Sequence, residues 1–161
     1  MGWKVDDVMD LLMVGGGYAR ESDKNMSGGS AAAKINASVV LDVAQVQDDV
    51  SYQSFFLRFG AEGICVTDGK CRLGGTAGFA GVPGILGTFA ALNVGANTGL
   101  GEGSGRTQAF VGGEFGFLNV FSPAAEMWSL DARATMDVDS KSLGFMVFLN
   151  VGGSVTKAVH P

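Results

Sequence analysis

The sequence predicts an all-β chain closed into an antiparallel, eight-stranded, up-and-down barrel with its apolar face outward and a polar lumen. Three observations carry this expectation: residues alternate in polarity with period two, hydrophobicity is high but scattered, and eight such segments follow one another along the chain. In "AAAKINASVVLDV", residues 31–43, odd positions carry Ala31, Ala33, Ile35, Ala37, Val39, Leu41 and Val43, and even positions carry Ala32, Lys34, Asn36, Ser38, Val40 and Asp42. Successive side chains of a strand point to opposite faces, so this alternation describes a strand with one dry and one wet face. The 161 residues are 47% hydrophobic with a mean hydropathy of +0.26. No run approaches the roughly 18 consecutive apolar residues of a spanning helix. Charged residues make up 17%, against about 25% in an ordinary soluble domain.

The predicted strands lie near 8–20, 31–46, 49–66, 71–82, 84–98, 106–120, 125–138 and 141–155, and 1–161 reads as one domain. The first and fourth alternate weakly, through "LLMVGGG" and "GGTAGFAG". The third sets Phe55, Leu57, Phe59 and Ala61 against Ser54, Phe56, Arg58, Gly60 and Glu62. In the seventh, Trp128, Leu130, Ala132 and Ala134 oppose Ser129, Asp131, Arg133 and Thr135. In the eighth, Leu143, Phe145, Val147, Leu149 and Val151 oppose Gly144, Met146, Phe148, Asn150 and Gly152. Most of these segments reach the about 9–11 tilted residues that cross hydrocarbon, longer than the usual globular strand of about 5–6.

The connections add a second pattern. "QDD", "VPG" and "SPAA" are tight, whereas "ESDKNMSGGS", "VTDGK", "TGLGEGSG" and "DSKS" are mostly longer and more polar. Alternate connections of an up-and-down barrel share one end, so one end is short-turned and the other long-looped, with both termini at the short end. Tyr52, Phe121 and Trp128 lie beside the short turns and Tyr18 at the long-loop end, where amphipathic rings suit a membrane–water interface. Cys65 and Cys71 flank the Asp68-Gly69 turn signal, which favours a disulfide across a hairpin and an oxidising compartment.

Which face points outward is decided by the kind of polar residue present. A water-facing set would be rich in Lys and Glu, but here it is mostly Gly, Ser, Asn and Thr. The charges on it have both signs: Lys34, Arg58 and Arg133 against Asp42, Glu62, Glu114 and Asp131. Enclosed in a narrow lumen they would need to pair, with small residues leaving room for their long side chains and with Phe56, Phe110 and Phe148 as filling. The barrel is therefore expected to be transmembrane. The chain resembles the eight-stranded outer-membrane β-barrels of the OmpA type over residues 8–155, by strand number, alternation and loop asymmetry rather than by a specific motif. It departs from them at its end. "GGSVTKAVHP" replaces the customary terminal Phe, which implies a different assembly signal or continuation through a linker. The resemblance implies the bacterial outer membrane, reached after removal of a signal segment that "MGWKVDDVMD" does not provide.

Chemistry is thinly represented. The one histidine is His160, too isolated for a nucleophile–base pair or a zinc site. Glu62 with Glu114 or Asp131 could act as acid and base, but these fit better as packed lumen charges. "GGGYARES" and "GLGEGSG" lack the strand–helix setting of a phosphate loop. No catalytic, metal or cofactor-binding residue is expected. Net charge −5 without a basic cluster argues against nucleic acid. Eight strands leave an interior just wide enough for side chains, whereas open channels need about 16–18. The expected role is an envelope anchor or surface-interaction protein, monomeric, with outer-membrane lipids as partners. Surface or periplasmic proteins would meet loops 21–30, 66–70 and 99–106. The Gly/Ala-rich stretch 74–99 would serve sheet curvature or a subunit contact. Two alternatives stand beside this: a soluble lipocalin-like carrier, whose Gly-x-Trp "MGW" resembles, and a lipid-modifying outer-membrane enzyme.

Overall fold

A computed structural model describes residues 8–21, 29–48, 51–67, 69–83, 87–101, 105–118 and 127–153. Eight strands run in sequence order: β1 (Val8–Glu21), β2 (Ser30–Asp48), β3 (Ser51–Val66), β4 (Cys71–Pro83), β5 (Thr88–Leu100), β6 (Thr107–Leu118), β7 (Met127–Asp137) and β8 (Leu143–Gly153). Each pairs antiparallel with its neighbours, and β1 pairs with β8 from Leu12↔Gly153 to Glu21↔Gly144. The sheet is thus a closed barrel. Closure leaves no edge of unpaired N–H and C=O groups, a requirement for any sheet immersed in lipid.

The polarity of the wall is inverted relative to a soluble barrel. On β2, Ala32, Lys34, Asn36 and Ser38 are buried while Ala31, Ala33, Ile35, Ala37 and Val39 are exposed. Strict alternation continues through β7, where Ser129, Asp131, Arg133 and Thr135 point inward, and Trp128, Leu130, Ala132 and Ala134 outward. Leu92, Leu130, Leu149, Val94, Val111, Phe59 and Phe115 join the exposed apolar set, with Leu92 at 69%.

Val43 departs from the predicted pattern. It is buried, because the β2–β3 register shifts between Asp42 and Ala44. A bulge puts one extra residue into β2 and reverses the facing of the residues beyond it. The ends of several strands also differ. Gly87, with φ 62, delays β5 to Thr88. At the β7–β8 turn the Asp137 carboxylate accepts from Asp139 N, Ser140 N and Ser140 Oγ, and Lys141 has φ 57, so β8 begins at Leu143. Predicted strand residues 49–50, 84–86, 119–120, 125–126 and 154–155 lie outside the described residues.

At the end that receives both chain termini, residues 49–50, 84–87 and 119–126 separate the strands; at the other, 22–29, 67–70, 101–106 and 138–142 do. Residues 119–126, between β6 and β7, lie outside the described residues, and the β3–β4 connection is short. The second of these closes through Val66 N to Lys70 O and Gly69 N to Val66 O, with Gly69 at φ 85.

Weak alternation in β1 and β4 traces to glycine. Gly17 faces inward opposite Phe148, and an added Cβ would run into the Val147 carbonyl and the Phe148 ring. Gly95 on β5 likewise leaves room for the Phe110 ring. Large lumen side chains lie flat against the wall where the next strand carries no side chain. Gly16, facing outward, has nothing within 4 Å of such a Cβ. Gly17→Val is therefore expected to destabilise the barrel by about 1–3 kcal/mol through overpacking, while Gly16→Ala leaves it unchanged. Urea unfolding in detergent micelles reads both, and equal stability of the two variants would contradict the packing described.

Candidate functional site: the lumen

Among the described residues, three ion pairs cross the barrel interior between strands distant in sequence, and a fourth lies within β7. Lys34 Nζ on β2 lies 2.5 Å from Asp131 Oδ2 on β7. Arg133, also on β7, pairs with that same oxygen through Nη2 and reaches Glu62 Oε1 on β3 through Nη1 at 2.7 Å. Arg58 Nη2 on β3 lies 2.6 Å from Glu114 Oε2 on β6. Both of Arg133's carboxylate partners are enclosed, Asp131 at 0% exposure.

Neutral groups complete the set. Asn93 accepts from Arg58 Nη2 at 3.0 Å and donates to Glu114 Oε2 at 3.2 Å. Ser129 Oγ donates to Glu114 Oε1 and accepts from Asn150 Nδ2 at 3.2 Å. Asn97 Nδ2 donates to Glu62 Oε1 at 2.9 Å. Two aromatic rings carry cations on their faces: Phe110 lies 4.2 Å from Arg133 Cζ, and Phe148 lies 5.0 Å from Lys34 Nζ. Such contacts attract the cation through the ring quadrupole and are strongest where water is excluded. Arg58 Nη1 also meets Met13 Sδ at 3.8 Å.

An apolar cluster lies toward each mouth. Ala19, Ala32, Ile64, Met146 and Phe148, with Val66 against them, fill the loop end. Met13, Phe89 and Met127, with Leu11 and Val82, fill the end near the termini. Between them lies the charged layer, buried within the barrel.

Of the seven lumen charges named from the sequence, Lys34, Arg58, Glu62, Glu114, Asp131 and Arg133 meet in these pairs. Asp42 is buried on β2 beside the bulge, nearer the terminal end. The sequence does not single out Asn93, Asn97, Ser129 and Asn150, although each occupies an inward position of an alternating strand. Every carboxylate of the acid–base candidates Glu62, Glu114 and Asp131 is engaged by a cation. Phe110 and Phe148 are buried, and Phe56 is half-buried.

On the outer wall, Tyr18 is exposed near the loop end and packs against Phe145 at 5.9 Å between ring centroids. Trp128 is exposed near the terminal end. Phe121 and the Tyr52 side chain lie outside the described residues. Cys65 and Cys71 are direct cross-strand partners with Cα atoms 4.1 Å apart and form a disulfide across the β3–β4 hairpin.

No protein-family model matches the chain, and no curated protein does. Among solved structures, the chain is similar to the outer membrane protein Ail of Yersinia pestis, whose backbone was determined in a phospholipid bilayer nanodisc. The identity is 15% and the TM-score 0.42, over 91% of this chain and 99% of that one.

The lumen yields two expected outcomes. Arg133→Met leaves Asp131 and Glu62 without their shared cation and is expected to destabilise the barrel by about 3–5 kcal/mol. Adding Glu62→Gln, while Lys34 still pairs with Asp131, recovers part of that loss, as read by urea unfolding in micelles; additive losses would contradict the pairing. Reducing the disulfide, which closes only a short loop, is expected to lower stability by about 2 kcal/mol without loss of the folded barrel.

Proposed function

We propose that the chain is a single-domain barrel of the bacterial outer membrane, of the OmpA type, that crosses the bilayer with its eight strands. It acts as an envelope anchor or a surface-interaction protein through the connections at its loop end, without a wide open pore and without catalysis. The observation that carries this reading is the inverted polarity: Asp131, Arg133, Glu62 and Lys34 are enclosed while Leu92, Leu130, Leu149 and Phe115 are exposed. In water such a surface would expose far more contiguous apolar area than soluble monomers tolerate. In hydrocarbon it is the low-energy arrangement.

A lipocalin-like carrier needs the opposite polarity, with an apolar cavity and a charged exterior. A lumen filled by Phe110, Phe148, Met13 and the ion pairs favours a rigid anchor over a wide conduit. Lipids are the partners that the outer wall suits, and proteins at the cell surface or in the periplasm are those that the connections suit. The barrel is read as a monomer.

Leu92→Arg tests the reading. A charge on the lipid face costs about 2–4 kcal/mol near the bilayer midplane. The variant is expected to lose most of its heat-modifiable folded band on unboiled gels after refolding into vesicles. Folding into vesicles at the unaltered level would overturn the membrane reading. A lipid-modifying activity would show as altered lipid A or phospholipid profiles on deletion, and unchanged profiles are expected.

A further inference from the structure

Among the residues whose side chains are described, the outward faces of the eight strands carry charge only on β1. Asp10 stands near its start and Arg20 near its end. Ten residues of strand rise about 33 Å, and a tilt of about 40° reduces this to about 25 Å along the barrel axis, the height of a lipid-facing apolar band. Asp10 and Arg20 therefore bracket the band. Asp10 marks the edge nearer the termini and Arg20 the edge at the loop end.

The surroundings of Arg20 are those of a headgroup contact. Its cross-strand partner on β8 is Phe145, which packs against Tyr18 one outward position below on β1. Both rings are exposed. The ring of Tyr18 also lies over the backbone of Gly29, which fixes it at the rim. Arg20 is exposed and makes no ion pair or hydrogen bond with another described residue. An arginine stem can lie along apolar surface while the guanidinium reaches the interface, and its planar fork suits a phosphate better than a point charge does.

We propose that Arg20, standing above the Tyr18–Phe145 pair, binds the phosphate of a membrane-lipid headgroup in the leaflet at the loop end. The inference rests on the membrane-spanning reading. The rings hold the upper acyl region, and the guanidinium closes on the phosphate oxygens above it. No other outward strand position described offers a cation at this edge, so β1 and β8 form one defined lipid contact on an otherwise uncharged wall.

The test is NMR of the Arg20 Nε–H signal in the full chain folded in dodecyl maltoside, a detergent without phosphate. The signal is identified by its loss in Arg20→Gln. Titration with short-chain phosphatidylglycerol is expected to shift it saturably, while inorganic phosphate at the same concentration does not. In Arg20→Gln, the lipid's effect on the Tyr18 and Phe145 amide signals is expected to need about tenfold more lipid, the loss of one charge-assisted contact. A folded barrel whose Arg20 signal does not respond overturns the site, and an equal response to inorganic phosphate overturns its assignment to lipid. A chain that folds in plain buffer overturns the membrane reading instead, so the two failures are distinct.

Discussion

Everything in this barrel depends on enclosing charge in an interior shielded from bulk water. Two unit charges attract far more strongly there than in water, and each is correspondingly costly to leave alone. The described pairs match three cations, Lys34, Arg58 and Arg133, with three carboxylates, Glu62, Glu114 and Asp131. Arg133 is the centre, bound to two carboxylates from different strands and seated on the Phe110 ring. Apart from Arg133–Asp131, which lies within β7, the pairs join β2 to β7, β3 to β7 and β3 to β6, strands that are not neighbours in the sheet. The interactions thus report on barrel completion rather than on any one hairpin.

The wall must make room for these side chains, and it does so by omission. Gly17 and Gly95 lie where the Phe148 and Phe110 rings cross the sheet. Gly17 softens the alternation along β1 without altering its faces. With the lumen filled and balanced, the exterior can be almost wholly apolar. That separation of roles between faces supports reading the molecule as a rigid membrane insert with its polar connections at the rims.

Much of this is legible in the sequence, and the missing parts have physical reasons. Period-two alternation in β2, β3, β7 and β8 assigns Lys34, Arg58, Glu62, Asp131 and Arg133 to one face without knowledge of the fold. It does not say that Lys34 meets Asp131, 97 positions away, since that contact comes from barrel closure and strand stagger. Alternation places Val43 on the wrong face because a bulge leaves no mark in a pattern that reads Asp-Val-Ala. Asn93, Asn97, Ser129 and Asn150 are given no role because uncharged polar residues on an alternating strand resemble ordinary wet-face positions. Their meaning comes from the carboxylates they reach.

The most direct measurement of the central claim is the environment of Trp128, which is 48% exposed on the outer wall. In a Trp3→Phe background its fluorescence is read alone, after refolding from urea with and without vesicles of brominated phosphatidylcholine. An outer wall in contact with lipid predicts folding only with vesicles and strong quenching by the brominated acyl chains. Folding in plain buffer with Trp128 unquenched by added vesicles would contradict it and return the apolar face to water.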